Sequence, residues 1–196
     1  MRITTMITMT ALMGLGAQAA KPGATSATKV TVCMDLRYVS AESIARVLAS
    51  EMFSGIGVTI AWRNPRGCPA EAILISLTDE TPENLSRGTL AYALPYEGVH
   101  IRVFYDRIRR YGPELAPRLL AHVLVHEITH ILQGIARHSA SGVMKAYWRF
   151  DDYHTMLVKP LRFEGEDIDL IRRGLAARAA RTTVSMNTVA ASVTAQ

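Results

Sequence analysis

In TKVTVCM, residues 28–34, apolar and polar positions alternate, a period of two that gives a strand one apolar face. VTIAW and AILISL are short β-branched apolar runs and also read as strands; LAYAL and VHIRVFY follow as two more, with a loop from Pro95 to Gly98 between them. Between the first and second strands the period lengthens. AESIARVLASEMF carries apolar residues at helical spacing, with Ser40 placed to cap the helix, Glu42 in its first turn where negative charge suits the helix dipole, and Gly55 and Gly57 breaking the chain afterwards. The strongest helical pattern is PRLLAHVLVHEITHILQG, in which Leu120, Leu124, Ile128, Ile131 and Ile135 recur and Gly134 offers a stop. From Trp148 to Pro160 no period is evident, and Glu166 to Ala180 reads as a last helix. The order strand, helix, strands, long helix predicts an α+β fold, an α/β sandwich in which a twisted mixed sheet lies over the long helix, followed by a C-terminal helix.

The long helix holds groups that an apolar environment does not tolerate alone. His126 and His130 are four residues apart, one turn of about 6 Å, so both imidazoles can address one ion, and Glu127 sits beside it. Burying two imidazoles and a carboxylate without partners costs several kcal/mol, which a metal with a bound water would relieve. Zinc in an open tetrahedral site lowers the pKa of its bound water to about 7, and Glu127 within reach can take the proton as that water attacks a carbonyl. His122, one turn earlier, lies about 12 Å along the helix from His130 and cannot share its ion, so it is expected to be packed or hydrogen-bonded nearby. His138 can become a third ligand only if the chain reverses at Gly134, which the left-handed conformation open to glycine permits.

On these residues the sequence resembles the metzincin clan of zinc peptidases, whose pattern is HExxHxxGxxH followed by a methionine turn. His126, Glu127 and His130 match by position, and Gly134 and His138 match in order. His138-Ser139 resembles the histidine-serine pair of the matrix metalloproteinases, and Met144 in SGVMKAYW resembles the methionine of the turn. GTLAYALPYEGVHI resembles the edge strand and loop of that group, and FEGEDIDLIRRGL its final helix, with Asp167, Ile168 and Ile171 in comparable places. The resemblance runs from about Gly88 to Leu175 and implies one zinc ion held by His126, His130 and His138 above a supporting Met144.

This chain departs from the pattern by one extra residue before Gly134 and another before His138. An acidic third ligand therefore stays open, with Glu164 and Glu166, or Asp151 and Asp152, as the alternatives to His138. Tyr147, three residues past Met144, is expected to be either a wall of the substrate pocket or a stabiliser of developing oxyanion charge. Residues Lys145 to Trp148 are expected to line the pocket for the side chain after the scissile bond. The backbone of Leu90, Ala91, Tyr92 and Ala93 is expected to receive an extended peptide as an added strand.

Composition adds limits. At 196 residues with 49% apolar content, the chain can fill one core but not two. Domain expectations are a signal peptide at 1–19, ending near Ala17-Gln18-Ala19; a linker at 20–28; a catalytic domain at 29–181; and a disordered tail at 182–196, poor in charge and rich in Thr, Ala and Ser. No segment has the roughly 20 apolar residues of a membrane span. Cys33 and Cys68 are the only cysteines, a single candidate disulfide that fits a secreted or periplasmic protein. The formal charge of +5 is explained by Arg172, Arg173, Arg178 and Arg181 on one helix, and no nucleic-acid motif accompanies it. The lead expectation is an exported zinc metalloendopeptidase acting on a peptide or protein. The alternatives are a zinc hydrolase of a non-protein amide and a silent binding module on a peptidase scaffold; oligomeric state is open.

Overall fold

The structure, a computed structural model, describes residues 28–35, 37–94 and 99–194. The expected leader at 1–19, the linker apart from Thr28, and the Pro95 to Gly98 loop lie outside the described residues.

Strands β1 (Thr28–Met34), β2 (Val58–Arg63), β3 (Ile73–Thr78), β4 (Ala91–Ala93) and β5 (His100–Phe104) form one sheet in the order β2-β1-β3-β5-β4. β1 pairs in parallel with β2 and β3, and β3 with β5, whereas β4 is antiparallel to β5, Ala91 facing Val103 and Ala93 facing Ile101. The two-residue period decides which face is covered. Val30, Val32, Ile73, Ile75, Ile101 and Val103 are buried, while Ser76, His100 and Arg102 between them are exposed.

Helix α1 (Val39–Ser54) and helix α3 (Gly112–Gln133) share the core with these strands; α2 (Tyr105–Ile108) and a 3-10 turn at Arg109–Tyr111 lead from β5 into α3. Ala45 and Ala49, four apart on α1 and fully buried, are small enough to bring α1 close to its neighbours. Ser40 does not cap this helix, contrary to expectation: α1 begins one residue earlier, and the Tyr38 backbone N–H donates instead to Glu42 Oε2 at 2.8 Å. The stretch expected to be irregular after Trp148 contains helix α4 (Phe150–Val158), whose first turn is held by the Arg149 backbone N–H donating to Asp152 Oδ2 at 2.7 Å. Helix α5 (Gly165–Thr194) runs past its expected end at Ala180, through most of the stretch that composition assigns to a disordered tail.

Cys33 and Cys68 form a disulfide with Cα atoms 6.3 Å apart, tying β1 to the loop between β2 and β3. Among the described residues no helix is long and apolar enough to cross a membrane.

Candidate metal centre

The C-terminal turns of α3 carry His126, Glu127 and His130, all buried. The helix stops where the sequence predicts. Gly134 takes φ 70°, in the left-handed region, and its N–H still bonds the His130 carbonyl at 2.9 Å. The chain reverses there and returns His138 to the helix. One nitrogen from each of His126, His130 and His138 then lies within 4.8 Å of the others, the one group of this kind among the described residues. The two extra residues are absorbed by the turn, which brings the third histidine beside the other two.

Hydrogen bonds fix how the rings face. His126 Nδ1 bonds the Val143 carbonyl at 2.9 Å and His130 Nδ1 bonds the Ile135 carbonyl at 3.2 Å. A carbonyl only accepts, so each Nδ1 carries the hydrogen and each Nε2 presents a lone pair. Those two Nε2 atoms are 3.0 Å apart. Lone pairs so close repel unless a cation lies between them. A proton is a poor candidate: burial, with His130 adding to it, holds His126 down to about 3, and burial holds His130 down to about 4. A metal ion fits better. Zinc at about 2.0–2.1 Å from each nitrogen in tetrahedral geometry separates them by about 3.3 Å, close to the spacing present. His138 is exposed, so it closes the group from the solvent side.

Glu127 is 8% exposed, and burial pushes its carboxyl up to about 8 against the lowering influence of the Ala93 backbone. A nearby cation would favour the carboxylate. Glu127, His126 and His138 line a cleft of about 310 Å³ whose other walls include Leu90, Ala91 and Tyr147. A larger hollow of about 440 Å³ involves Leu74, Ser76, His100 and Arg102, with none of the histidine group.

The other residues singled out in the sequence fall as follows. Ala91–Ala93 form β4, the last strand of the sheet, and the Leu90 carbonyl accepts the Phe104 N–H at 2.8 Å. Tyr92 turns its ring toward Phe104 at 5.9 Å between centroids, and Tyr147 is 78% exposed at the cleft. Met144 is fully buried, and its carbonyl accepts the Ser139 N–H at 2.8 Å. His122 bonds the Arg118 carbonyl through Nδ1 at 2.7 Å and accepts the Leu161 N–H on Nε2 at 3.0 Å, a structural link apart from the histidine group. The acidic alternatives are engaged elsewhere: Glu164 with Ser141, Glu166 with Arg137 and Asp152 with Lys145, while Asp151 is exposed on α4.

Trp148, the last of the Lys145 to Trp148 residues expected at the pocket, does line the cleft, and its ring stands edge-on to His126 at 5.7 Å. Tyr111 and Tyr153, rings 5.1 Å apart, also line the cleft without a local signal that could have marked them. The tie between Ser139 and Asp167, 2.6 Å from hydroxyl to carboxylate, is a tertiary contact that no motif encodes.

No family model matches this chain, and no curated protein does. Among solved structures, the crystal structure of archaemetzincin from Methanopyrus kandleri is similar, with a TM-score of 0.56 at 19% identity, covering 78% of this chain and 97% of that one. The likeness is one of fold. It shows a shared architecture and does not single out the matrix metalloproteinases.

Proposed function

We propose that this chain is an exported zinc-dependent endopeptidase in which His126, His130 and His138 hold one zinc ion and Glu127 is the general base. The observation that carries this reading is the convergence of three imidazole nitrogens within 4.8 Å beside a buried carboxylate, in a cleft open to a ligand. Zinc held there would supply Lewis acidity toward a scissile carbonyl and would acidify a water.

The chain's own groups account for the remaining steps. Val143 and Ile135 carbonyls keep both helical imidazoles in the tautomer that presents Nε2 inward. Glu127 takes a proton from the attacking water on its carboxylate and passes it to the departing amine nitrogen, so that one group serves as base and then as acid. Within Leu90 to Ala93, the backbone groups not turned toward β5 face the sheet edge and would receive an extended peptide, setting the scissile bond beside Glu127. Residues Lys145 to Trp148 flank the same cleft and would receive the side chain that follows the bond. Tyr147 serves there as a pocket wall. The disulfide and the leader-like first residues support export.

The test is hydrolysis of a broad fluorogenic peptide library by zinc-loaded protein and by a Glu127→Gln variant. Cleavage by the first alone is expected; equal cleavage by both, or by neither, would contradict the assignment.

A further inference from the structure

His138 is the ligand whose place is least explained by the helix. It is exposed, it follows a turn two residues longer than the family pattern, and beyond ring contacts with His126 and His130 it has no place in the apolar core. Its two chain neighbours are fixed instead. Ser139 Oγ donates to Asp167 Oδ1 at 2.6 Å, and Arg137 donates to the same oxygen at 3.1 Å and to Ser139 Oγ at 3.3 Å. Arg137 also pairs with Glu166. Asp167 itself is 1% exposed, so its charge must be met by these partners.

The two carboxylate oxygens of Asp167 have separate tasks. Oδ2 accepts the Glu164 backbone N–H at 3.2 Å, an interaction that caps α5 and would suffice for a purely structural aspartate. Oδ1 instead reaches across to the loop on both sides of His138. The Ser139 backbone continues the connection, pairing with the Met144 carbonyl and bridging to Lys145. Gln133, one of the residues of the lengthened turn, donates to the Asp167 carbonyl at 3.3 Å. The longer spacing is therefore tied to one point on α5 at its beginning and at its end.

We infer that Asp167 is the positioning residue for the third metal ligand, acting through Ser139 and Arg137 to hold His138 against the two helical histidines. The inference rests on the metal-site reading above. A partner that orients a ligand in this way contributes roughly 10- to 100-fold to metal affinity.

The experiment measures zinc affinity by competition with a chromophoric chelator, and the visible spectrum of the cobalt-loaded chain. It compares the unmodified chain with Asp167→Asn, Ser139→Ala, His138→Ala and the Ser139→Ala/His138→Ala double variant. Asp167→Asn and Ser139→Ala are expected to weaken zinc roughly 10- to 100-fold and to move the cobalt bands toward those of His138→Ala. The double variant is expected to bind no more weakly than His138→Ala, because Ser139 acts through that ring. Ser139→Ala leaves the cap on α5 intact, so it decides the matter even if Asp167→Asn fails to fold. Affinity and cobalt spectrum unchanged in Ser139→Ala while His138→Ala is weakened, or fully additive losses in the double variant, would overturn the positioning role and leave the metal site standing. A His138→Ala chain that binds zinc as tightly as the unmodified one would overturn the ligand assignment, and the positioning role with it.

Discussion

Gly174 of α5 lies against the backbone of Leu132 in α3: a Cβ at position 174 would come 1.7 Å from the Leu132 carbonyl oxygen and 2.8 Å from its carbon. That contact is backbone to backbone, so no side-chain rotation can relieve it. Leu132 lies between His130 and the turn at Gly134, and α5 also carries Asp167, so the spacing of these two helices bears on the histidine group.

Replacing Gly174 by alanine should therefore force α3 and α5 apart. Overpacking of this kind costs about 1–3 kcal/mol, and in a chain of this size each kcal/mol lowers Tm by about 2–4 °C. Differential scanning calorimetry of Gly174→Ala should show that fall, together with weaker zinc binding. An unchanged Tm would mean that the helices are not in such close contact.

Glu127→Gln should retain zinc and lose turnover. The carboxamide keeps the volume of the side chain but cannot take a proton, and positioned acid–base groups contribute about 10²–10⁴-fold in rate. Steady-state kinetics alongside zinc content would check this, with kcat reduced and metal stoichiometry unaltered.

The metal-free chain should be most stable near pH 6.5. Burial lowers His126 to about 3 and His130 to about 4, and lowers His122 and His138 as well, each from an ordinary 6.5. Below pH 6.5 the unfolded chain binds more protons at these groups than the folded chain does, so their contribution is present above 6.5 and is lost as pH falls toward 4 and then 3. Glu127 acts with the opposite sign. Burial raises it from 4.5 to about 8, so its contribution is present below 4.5 and is lost as pH rises to about 8. Between 4.5 and 6.5 the four histidines outweigh the single carboxyl; from 6.5 to 8 the carboxyl prevails. Melting curves across pH 4–8 should show both limbs, and Glu127→Gln should flatten only the alkaline one. A metal-free protein equally stable at every pH would contradict the burial of these groups.

Reduction of the Cys33–Cys68 bond should lower stability without emptying the histidine group, because it joins β1 to the loop after β2 rather than to α3. Closing a loop of this length commonly stabilises by about 2–4 kcal/mol. Chemical denaturation with and without reductant gives the difference, and zinc retained after reduction supports the separation.

The histidine helix was legible because its apolar period extends over many residues and ends at a glycine that must turn left-handed, so His126, Glu127, His130 and Gly134 each had a local reason to be where they are. His138 was legible as a candidate only; whether the lengthened turn returned it depended on Asp167, which contacts Ser139 from a different helix. Helix α4 was missed because it is only nine residues long, so the spacing of Phe150, Tyr153, Met156 and Leu157 repeats over too few turns to stand out. Ser40 was the wrong cap because a glutamate two residues later, Glu42, serves the Tyr38 amide from inside the helix. Tyr111 and Tyr153 reach the cleft through tertiary packing, for which neighbouring sequence carries no pattern.

The central claim is that the imidazoles of His126 and His130, with His138, form a zinc site. Plasma mass spectrometry of purified chain, equilibrated with zinc and freed of excess by gel filtration, tests it most directly when run beside His126→Ala and His130→Ala. One zinc per chain is expected in the unmodified protein, and well under one in each variant. A chain that takes up no zinc, or variants that hold as much as the unmodified protein, would contradict the account.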